Sequence, residues 1–338
     1  MGIAATAFDI AAFRYPPFVY GAQCRDVPVF CFHEVEAETF EAQLSFLAAN
    51  GYQTITTDEL FSDHPEKSVM LTFDDGWGSF WSAGLPLLEK YYARIVVFLA
   101  AGRMGSGPFL TWDQIGEMHE TGLVDFQSHT LTHSRVFCSP RVEDFAHPSL
   151  RYGALDAPEW EHGPFSLGRP IYQSRPRLGD CRRYLEDSDL RLACESYMQD
   201  HGGESFFKRA DWRASLRNLV SKHPPGGRFE TDDERQMAVW RELDGSKRMI
   251  EEHLGKPIKH VCYPWHCYSR LTVDLSRKAG YETGFVGKVS GRYHGARPGS
   301  PTLIARVGGD FFFRLPGKGR MPLFRILLSK LSRRVRDA

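Results

Sequence analysis

The stretch Leu71-Thr72-Phe73-Asp74-Asp75-Gly76 limits what this chain can fold into more than any other. It closes an apolar run that begins at Val69, and the residues after it read as the start of a helix. Two adjacent carboxylates at the end of a buried strand repel each other, and both lose hydration. Asp-Asp-Gly in a surface turn would be ordinary if its flanks were polar. Here Val69, Met70, Leu71 and Phe73 precede the pair and set it at the C-terminal end of a strand. In a strand–helix barrel that end is where active sites lie. Either a cation holds the two acids there or one of them stays protonated.

Gln127-Ser128-His129-Thr130-Leu131-Thr132-His133 supplies the partners for a cation. Two histidines four positions apart are expected on one face of a helix or helical turn, where both imidazoles reach one ion. A carboxylate oxygen with two imidazole nitrogens is a usual donor set for a hydrolytic zinc, with positions left for water and substrate. Taken alone, His-x-x-x-His is a weak signal and more often marks a surface or core histidine pair than a metal site. Beside Thr-Phe-Asp-Asp-Gly it points to metal.

At these residues the chain resembles the polysaccharide deacetylase family, the carbohydrate esterases with the NodB-homology domain. The matching motifs are Thr72-Phe73-Asp74-Asp75-Gly76, Ser128-His129-Thr130-Leu131-Thr132-His133 and, less closely, Cys262-Tyr263-Pro264-Trp265. Val27-Pro28-Val29-Phe30-Cys31-Phe32-His33-Glu34-Val35 is similar to the opening strand of the branch acting on bacterial exopolysaccharides. The resemblance runs from about Val27 to Arg135, resumes near Thr231 and fades after Asp310. It implies a distorted (β/α) barrel of seven or eight strands, in the α/β class. The expected divisions are an N-terminal extension over 1–26, the barrel over 27–310 with an insertion at about 135–230, and a basic amphipathic segment over 311–338.

Composition fits a soluble globular protein, with 25% charged and 42% hydrophobic residues in 338. A formal net charge of zero gives no reason to expect nucleic acid as a partner. Seven cysteines without regular spacing argue for a reducing compartment rather than a disulfide framework, with Cys262 and Cys267 read as buried thiols. Met1 to Phe18 makes a poor signal peptide, since it has no basic opening and Asp9 interrupts its apolar residues. The expected location is cytoplasmic, on the inner membrane surface if the C-terminus binds lipid.

In chain order, strands are expected at Val29–Phe32, Thr54–Thr56, Val69–Phe73, Ile95–Leu99 and Val124–Gln127. Helices are expected at Thr39–Asn50, capped by Thr39, and at Phe80–Tyr92 and Trp112–Glu120. Strands alternating with helices imply a parallel sheet. Between Arg135 and Arg228 the pattern breaks down, apart from helical segments at Leu185–Gln199 and Trp212–Lys222. That stretch reads as a specificity loop over the active face or as a structural excursion. Thr231-Asp232-Asp233-Glu234 is a capping box opening a long helix whose stripe, Met237, Trp240, Leu243, Ile250 and Leu254, is expected in the core. His260–Tyr263, Thr283–Val286 and Leu303–Val307 supply the remaining strands. Near the C-terminus Leu323, Phe324, Leu327, Leu328 and Leu331 share a helical face, with basic residues elsewhere. This reads as a membrane-surface or partner-docking element, or as a terminal helix covering the barrel.

By family correspondence Asp75, His129 and His133 hold the metal, zinc in the first place, and Asp74 is the general base. The general acid corresponds to His33, with His266 as rival. Typical members place an arginine two positions before the motif proline; Cys262 stands there, and Arg306 is the candidate substitute. Tyr263, Pro264 and Trp265 are candidate substrate contacts, Trp265 as a wall of the sugar site or as a packing residue. The implied reaction is metal-dependent removal of an N-acyl group, N-acetyl first, from an amino sugar in a polysaccharide, oligosaccharide or lipid-linked glycan. The alternatives are a silent carbohydrate-binding relative, a deacylase of a small non-sugar amide, or a transferase using Asp-Asp for magnesium. In the last case the histidine pair would have no role.

Overall fold

The computed structural model describes residues 15–21, 26–160, 165–223, 225–287 and 302–336, with side chains as far as Ser332. Residues 1–14 and 22–25 of the expected N-terminal extension, and 161–164 and 224 of the expected insertion, lie outside the described residues. In chain order come the short helix α1 (Pro17–Tyr20), β1 (Val29–Phe32), α2 (Ala37–Ala49), β2 (Gln53–Thr54) and α3 (Thr57–Leu60). Next are β3 (Ser68–Phe73), α4 (Leu85–Tyr91), β4 (Ile95–Leu99), α5 (Trp112–Glu120) and β5 (Val124–Ser128). The middle supplies β6 (Arg135–Phe145), β7 (Pro170–Pro176), β8 (Tyr184–Glu186), α6 (Ser188–Asp200), α7 (Trp212–Lys222) and β9 (Gly227–Phe229). The long α8 (Asp232–Leu254) leads to β10 (His260–Cys262), α9 (Arg270–Lys278) and β11 (Thr283–Val286). Then come β12 (Thr302–Ala305), β13 (Val307–Gly308) and α10 (Leu323–Arg336).

The chain divides into two compact units, one of residues up to 131 with 244–266 and 276–338, the other of 132–243 with 267–275. The first unit holds a parallel sheet in the order β12-β11-β10-β5-β4-β3-β1-β13, with β2 beside β3. Its two outermost strands, β12 and β13, are separated in the chain by Arg306 alone, so the sheet curls into a nearly closed barrel. Every residue of β3 and β4 is buried, as expected of parallel strands covered on both faces. Val29, Met70, Val96, Phe98, Cys262 and Phe285 pack into one apolar cluster with Ile55. In the second unit β6 pairs with β7 and β8 with β9, both antiparallel. Phe145, Leu190, Cys194, Met198, Phe206, Trp212 and Leu216 form an apolar cluster of that unit. Arg177 grips Glu230 there through two contacts of 2.8 and 2.7 Å, both residues being buried.

Several expected boundaries move for local reasons. Helix α2 starts at Ala37 rather than Thr39, because the Glu36 carboxylate accepts the amides of Glu38 and Thr39 and caps it. The expected helix at Phe80–Tyr92 opens with a π-turn over Phe80–Gly84, since Pro86 has no N–H for the regular ladder. Helix α6 starts at Ser188, where Asp187 caps it, because 184–186 pair as a strand. Met237 is 66% exposed, and the buried line of α8 is Val239, Glu242, Leu243, Ser246 and Ile250. Two of those five positions are polar, so hydrophobicity alone misaligned the stripe. The expected strand Leu303–Val307 is interrupted at Arg306, whose side chain is buried. Cys267 is half-buried rather than buried.

Candidate active site

Strand β3 ends at Phe73, and Asp74 continues its ladder by donating its amide to the Phe32 carbonyl at 3.0 Å. The backbone then turns sharply, with Asp75 at φ 76° and Gly76 at φ 83°. A Cβ on Gly76 would stand 2.8 Å from Leu99 Cδ2 and 2.9 Å from Met104 Sδ, so both the turn and the packing demand glycine. Non-glycine residues held at positive φ often mark functional sites. Among the described residues they are Asp75, Thr130, His133, Trp265, His266 and Tyr92, of which the first four belong to the sequence motifs singled out above and His266 directly follows the third.

Asp74 is buried and bound by Arg306 in a fork, Nη1 to Oδ1 at 2.7 Å and Nη2 to Oδ2 at 2.8 Å. Arg306 Nη1 also donates to Thr72 Oγ1 at 2.9 Å, and Thr72 Oγ1 donates to the Phe30 carbonyl at 2.7 Å. The guanidinium lies 5.6 Å from the centre of the Phe98 ring. Burial alone would raise the Asp74 carboxyl, but the Arg306 charge, helped by His129, holds it far below the usual carboxylate range. The interruption between β12 and β13 thus delivers a fixed cation to the first acid of the pair. Cys262, at the position where an arginine was expected, receives a 2.9 Å contact from Arg306 Nη2. Cys31 Sγ lies 3.6 Å from Asp74 Oδ2, and burial pushes its thiol up to about 12.

Asp75, His129 and His133 each bring one ligand atom to within 4.8 Å of the others. His129 Nδ1 lies 2.8 Å from the Cys262 carbonyl oxygen. A carbonyl can only accept, so Nδ1 carries a proton, and Nε2 lies 3.4 Å from Asp75 Oδ1. Asp75 Oδ2 accepts the Trp77 indole N–H at 3.0 Å. Burial raises the Asp75 carboxyl above its ordinary value, with Asp74 adding to the rise against the opposing charge of His129. The histidines are not on a helix, as the spacing led us to expect. Residues 129–134 form an irregular segment with Thr130 at φ 70° and His133 at φ 54°. Its start is pinned by backbone bonds from His129 to Leu99 (2.7 Å), Ala101 to Thr130 (3.1 Å) and Gly102 to Leu131 (2.7 Å). One carboxylate and two imidazoles, already arranged around a common point, form a donor set that could hold a divalent transition metal.

His33 is exposed just past β1, and its charge is felt by both Asp74 and Asp75. It lines a cavity of about 800 Å³ together with Cys31, His266 and Arg306. Burial, and then the Arg306 charge, lower His266 to about 4. Its Nδ1 is buried with no hydrogen-bond partner among the described residues. Tyr263 does not reach toward substrate. It is fully buried, and its hydroxyl donates to Ser276 Oγ at 3.1 Å. Pro264 is buried too, while Trp265 is half-buried at φ 50°. The motif therefore contributes packing and a turn, and the residue after it, His266, is the one on the cavity.

Sequence reasoning missed the groups that orient the others. Glu242 accepts both the Thr132 amide (2.9 Å) and the Thr132 hydroxyl (2.7 Å), steadying the residue before His133. An acid on the buried line of a helix was the available signal. Thr72 stands in the Thr-Phe-Asp-Asp-Gly motif but was given no role of its own, and Trp77 left no signal beyond its closeness in sequence to Asp75.

Residues 61–148 match the family model described as polysaccharide deacetylase. YxkH of Bacillus subtilis, a protein named for that family, is 32% identical over 121 residues, covering 32% of this chain and 43% of its own. The poly-beta-1,6-N-acetyl-D-glucosamine N-deacetylase of Staphylococcus epidermidis is 32% identical over 108 residues, covering 29% of this chain and 37% of its own. The matched stretches thus span less than half of these curated relatives. Among solved structures, a de-N-acetylase from Aggregatibacter actinomycetemcomitans superposes with TM-score 0.55 at 16% identity, over 83% of this chain and 94% of its own. IcaB from Ammonifex degensii superposes with TM-score 0.52 at 18% identity, over 86% of this chain and 96% of its own. These last two likenesses concern the fold.

Proposed function

We propose that this chain is a zinc-dependent hydrolase that removes an N-acyl group, N-acetyl in the first instance, from an amino sugar. One observation carries the reading: a buried carboxylate kept ionised by Arg306 immediately precedes the acid of an Asp–His–His donor set. Asp75, His129 and His133 would hold the ion, which supplies Lewis acidity toward water and the acyl oxygen. Asp74 is the base we assign to the attacking water, a reading supported by Arg306 keeping it charged at neutral pH. The leaving amine needs a proton, and His33, exposed on the cavity, is the donor we assign. His266, with a pKa near 4, is neutral at pH 7 and a poor cationic acid. The relatives named for N-deacetylation of a polymer of N-acetylglucosamine support the reaction class.

Elemental analysis and assay of purified variants test this reading. Asp75→Ala, His129→Ala and His133→Ala should each lose most of the bound zinc. Asp74→Asn should keep its zinc and lose turnover by roughly two to four orders of magnitude, the scale of a missing general base. Full activity in Asp74→Asn would overturn the assignment of the base.

A further inference from the structure

The cavity that meets His33, His266 and Arg306 does not end at polar groups. Its walls also include Tyr15, Phe311, Phe313, Met321 and Ile326, followed by Ser329 and Lys330. The aromatic part is rigidly built. Phe311 lies 4.8 Å from the Tyr15 ring on one side and 4.8 Å from Lys330 Nζ on another. Phe313 packs edge-on against Phe46 at 5.5 Å. Lys330 is bound to Asp310 at 2.9 Å. Met321 and Ile326 are aliphatic and offer no flat face on which a pyranose ring could stack.

Helix α10 forms part of this wall with an unusual orientation. At 3.6 residues per turn, Ile326, Ser329 and Lys330 share one side, and Phe324, Leu328 and Leu331 share the opposite one. The first side lines the cavity, with Ile326 only 3% exposed. The second is bare, at 61%, 59% and 49% exposure. A helix serving only as a cover would turn its apolar side inward. Here an apolar outer face and a partly apolar inner cavity flank one helix, as suits a site that handles amphiphiles.

We propose that this cavity takes an alkyl chain carried by the amino sugar, so that the substrate is an amphiphile. The sugar amide lies at His33, and the chain runs along Phe311, Phe313, Met321 and Ile326. The inference deepens the deacylase reading and rests on it for the identity of the reacting group. The chain could be the aglycone of an N-acetylated glycoside or the N-acyl group itself, and the experiment separates the two sources.

Binding is measured first, without turnover. Dodecyl β-glucoside, which has no amide to cleave, is titrated below its micelle concentration against the full-length protein by calorimetry, with methyl β-glucoside as reference. Dodecyl glucoside should bind at least tenfold more tightly. Ser329→Trp, which fills the cavity from an exposed position, and Ile326→Glu should each weaken it tenfold or more. Leu328→Glu, on the outer face, should leave it unchanged. Equal binding of the two glucosides, or a loss with Leu328→Glu and none with Ser329→Trp, overturns the proposal. Assay of dodecyl N-acetylglucosaminide and of methyl N-dodecanoylglucosaminide then identifies the source, as the one with the higher kcat/KM. If neither is deacylated while dodecyl glucoside binds in a Ser329-dependent way, the cavity assignment stands and the deacylase reading fails.

Discussion

At neutral pH a carboxylate buried as deeply as Asp74 stays ionised only beside a fixed cation, and Arg306 supplies it through two contacts of 2.7 and 2.8 Å. Arg306→Gln keeps a hydrogen-bond donor and removes the charge. Burial then acts with less opposition, so the Asp74 pKa rises and the acid limb of kcat/KM should move up by at least about one pH unit. The orphaned acid should also cost roughly 3–5 kcal/mol in urea unfolding. An acid limb that stays in place would show that Asp74 is not the titrating base. His266 gives a second pH effect. Its pKa falls from 6.5 to about 4 on folding, so the unfolded chain binds the proton more readily. Stability of the metal-free protein should therefore decline as pH drops from about 6.5 to about 4, by up to about 3 kcal/mol, and level off below. His266→Gln should lack that decline. It should also retain far more turnover than His33→Ala if His33 is the acid.

Parallel strands buried on both faces announce themselves as unbroken apolar runs, so β1, β3 and β4 were legible to within a residue. The turn after Asp75 was equally legible, because Gly76 followed a strand end. The conformation of the histidine segment was not. The spacing of His129 and His133 suits a helical turn, but Thr130 and His133 take positive φ and the backbone bonds run to Leu99, Ala101 and Gly102. Those partners lie about thirty residues away in sequence, beyond the reach of local periodicity. Arg306 was nameable only as a substitute for a missing arginine; its grip on Asp74 depends on the interruption between β12 and β13 meeting the end of β3. The opposite end of β5 was also unreadable. There Asp125 accepts Gln127 Nε2 at 2.9 Å and further bonds from Thr57 Oγ1 and Lys256 Nζ, tying α3 and the α8–β10 connection to the strand. Asp125→Ala should lower unfolding stability by roughly 3–5 kcal/mol, because it strands Lys256 in a largely buried place. Zinc content and turnover of the folded fraction should hold, since His129 sits at the other end of β5. A loss of zinc equal to that of His129→Ala would mean that the two ends of the strand are not independent.

For the molecule as a whole, the open question is what meets the outer face of α10. No helix among the described residues is long and apolar enough to cross a membrane. What the chain does present is Phe324, Leu328 and Leu331 on one exposed stripe, with Arg325 exposed beside it. The sequence continues with Arg333, Arg334 and Arg336. The N-terminal residues brace the stem of this helix. Arg314 Nε donates to the Val19 carbonyl at 2.8 Å and Arg320 Nη2 to the Phe18 carbonyl at 2.7 Å. The helix is thus fixed at its root, and its stripe can insert without unfolding the barrel. Each basic residue near an anionic leaflet contributes about 1 kcal/mol, and each inserted apolar side chain adds to that. We therefore expect the full chain to float with vesicles containing anionic lipid at low salt, to stay behind with neutral vesicles, and to be released by high salt. The triple variant Phe324→Ser, Leu328→Ser, Leu331→Ser changes only exposed positions and should fold and bind zinc normally while remaining in the soluble fraction. Flotation of that variant equal to the parent would remove α10 as the membrane contact. Failure of both to float would leave the stripe to a protein partner, which charge-independent sedimentation of a complex would then report.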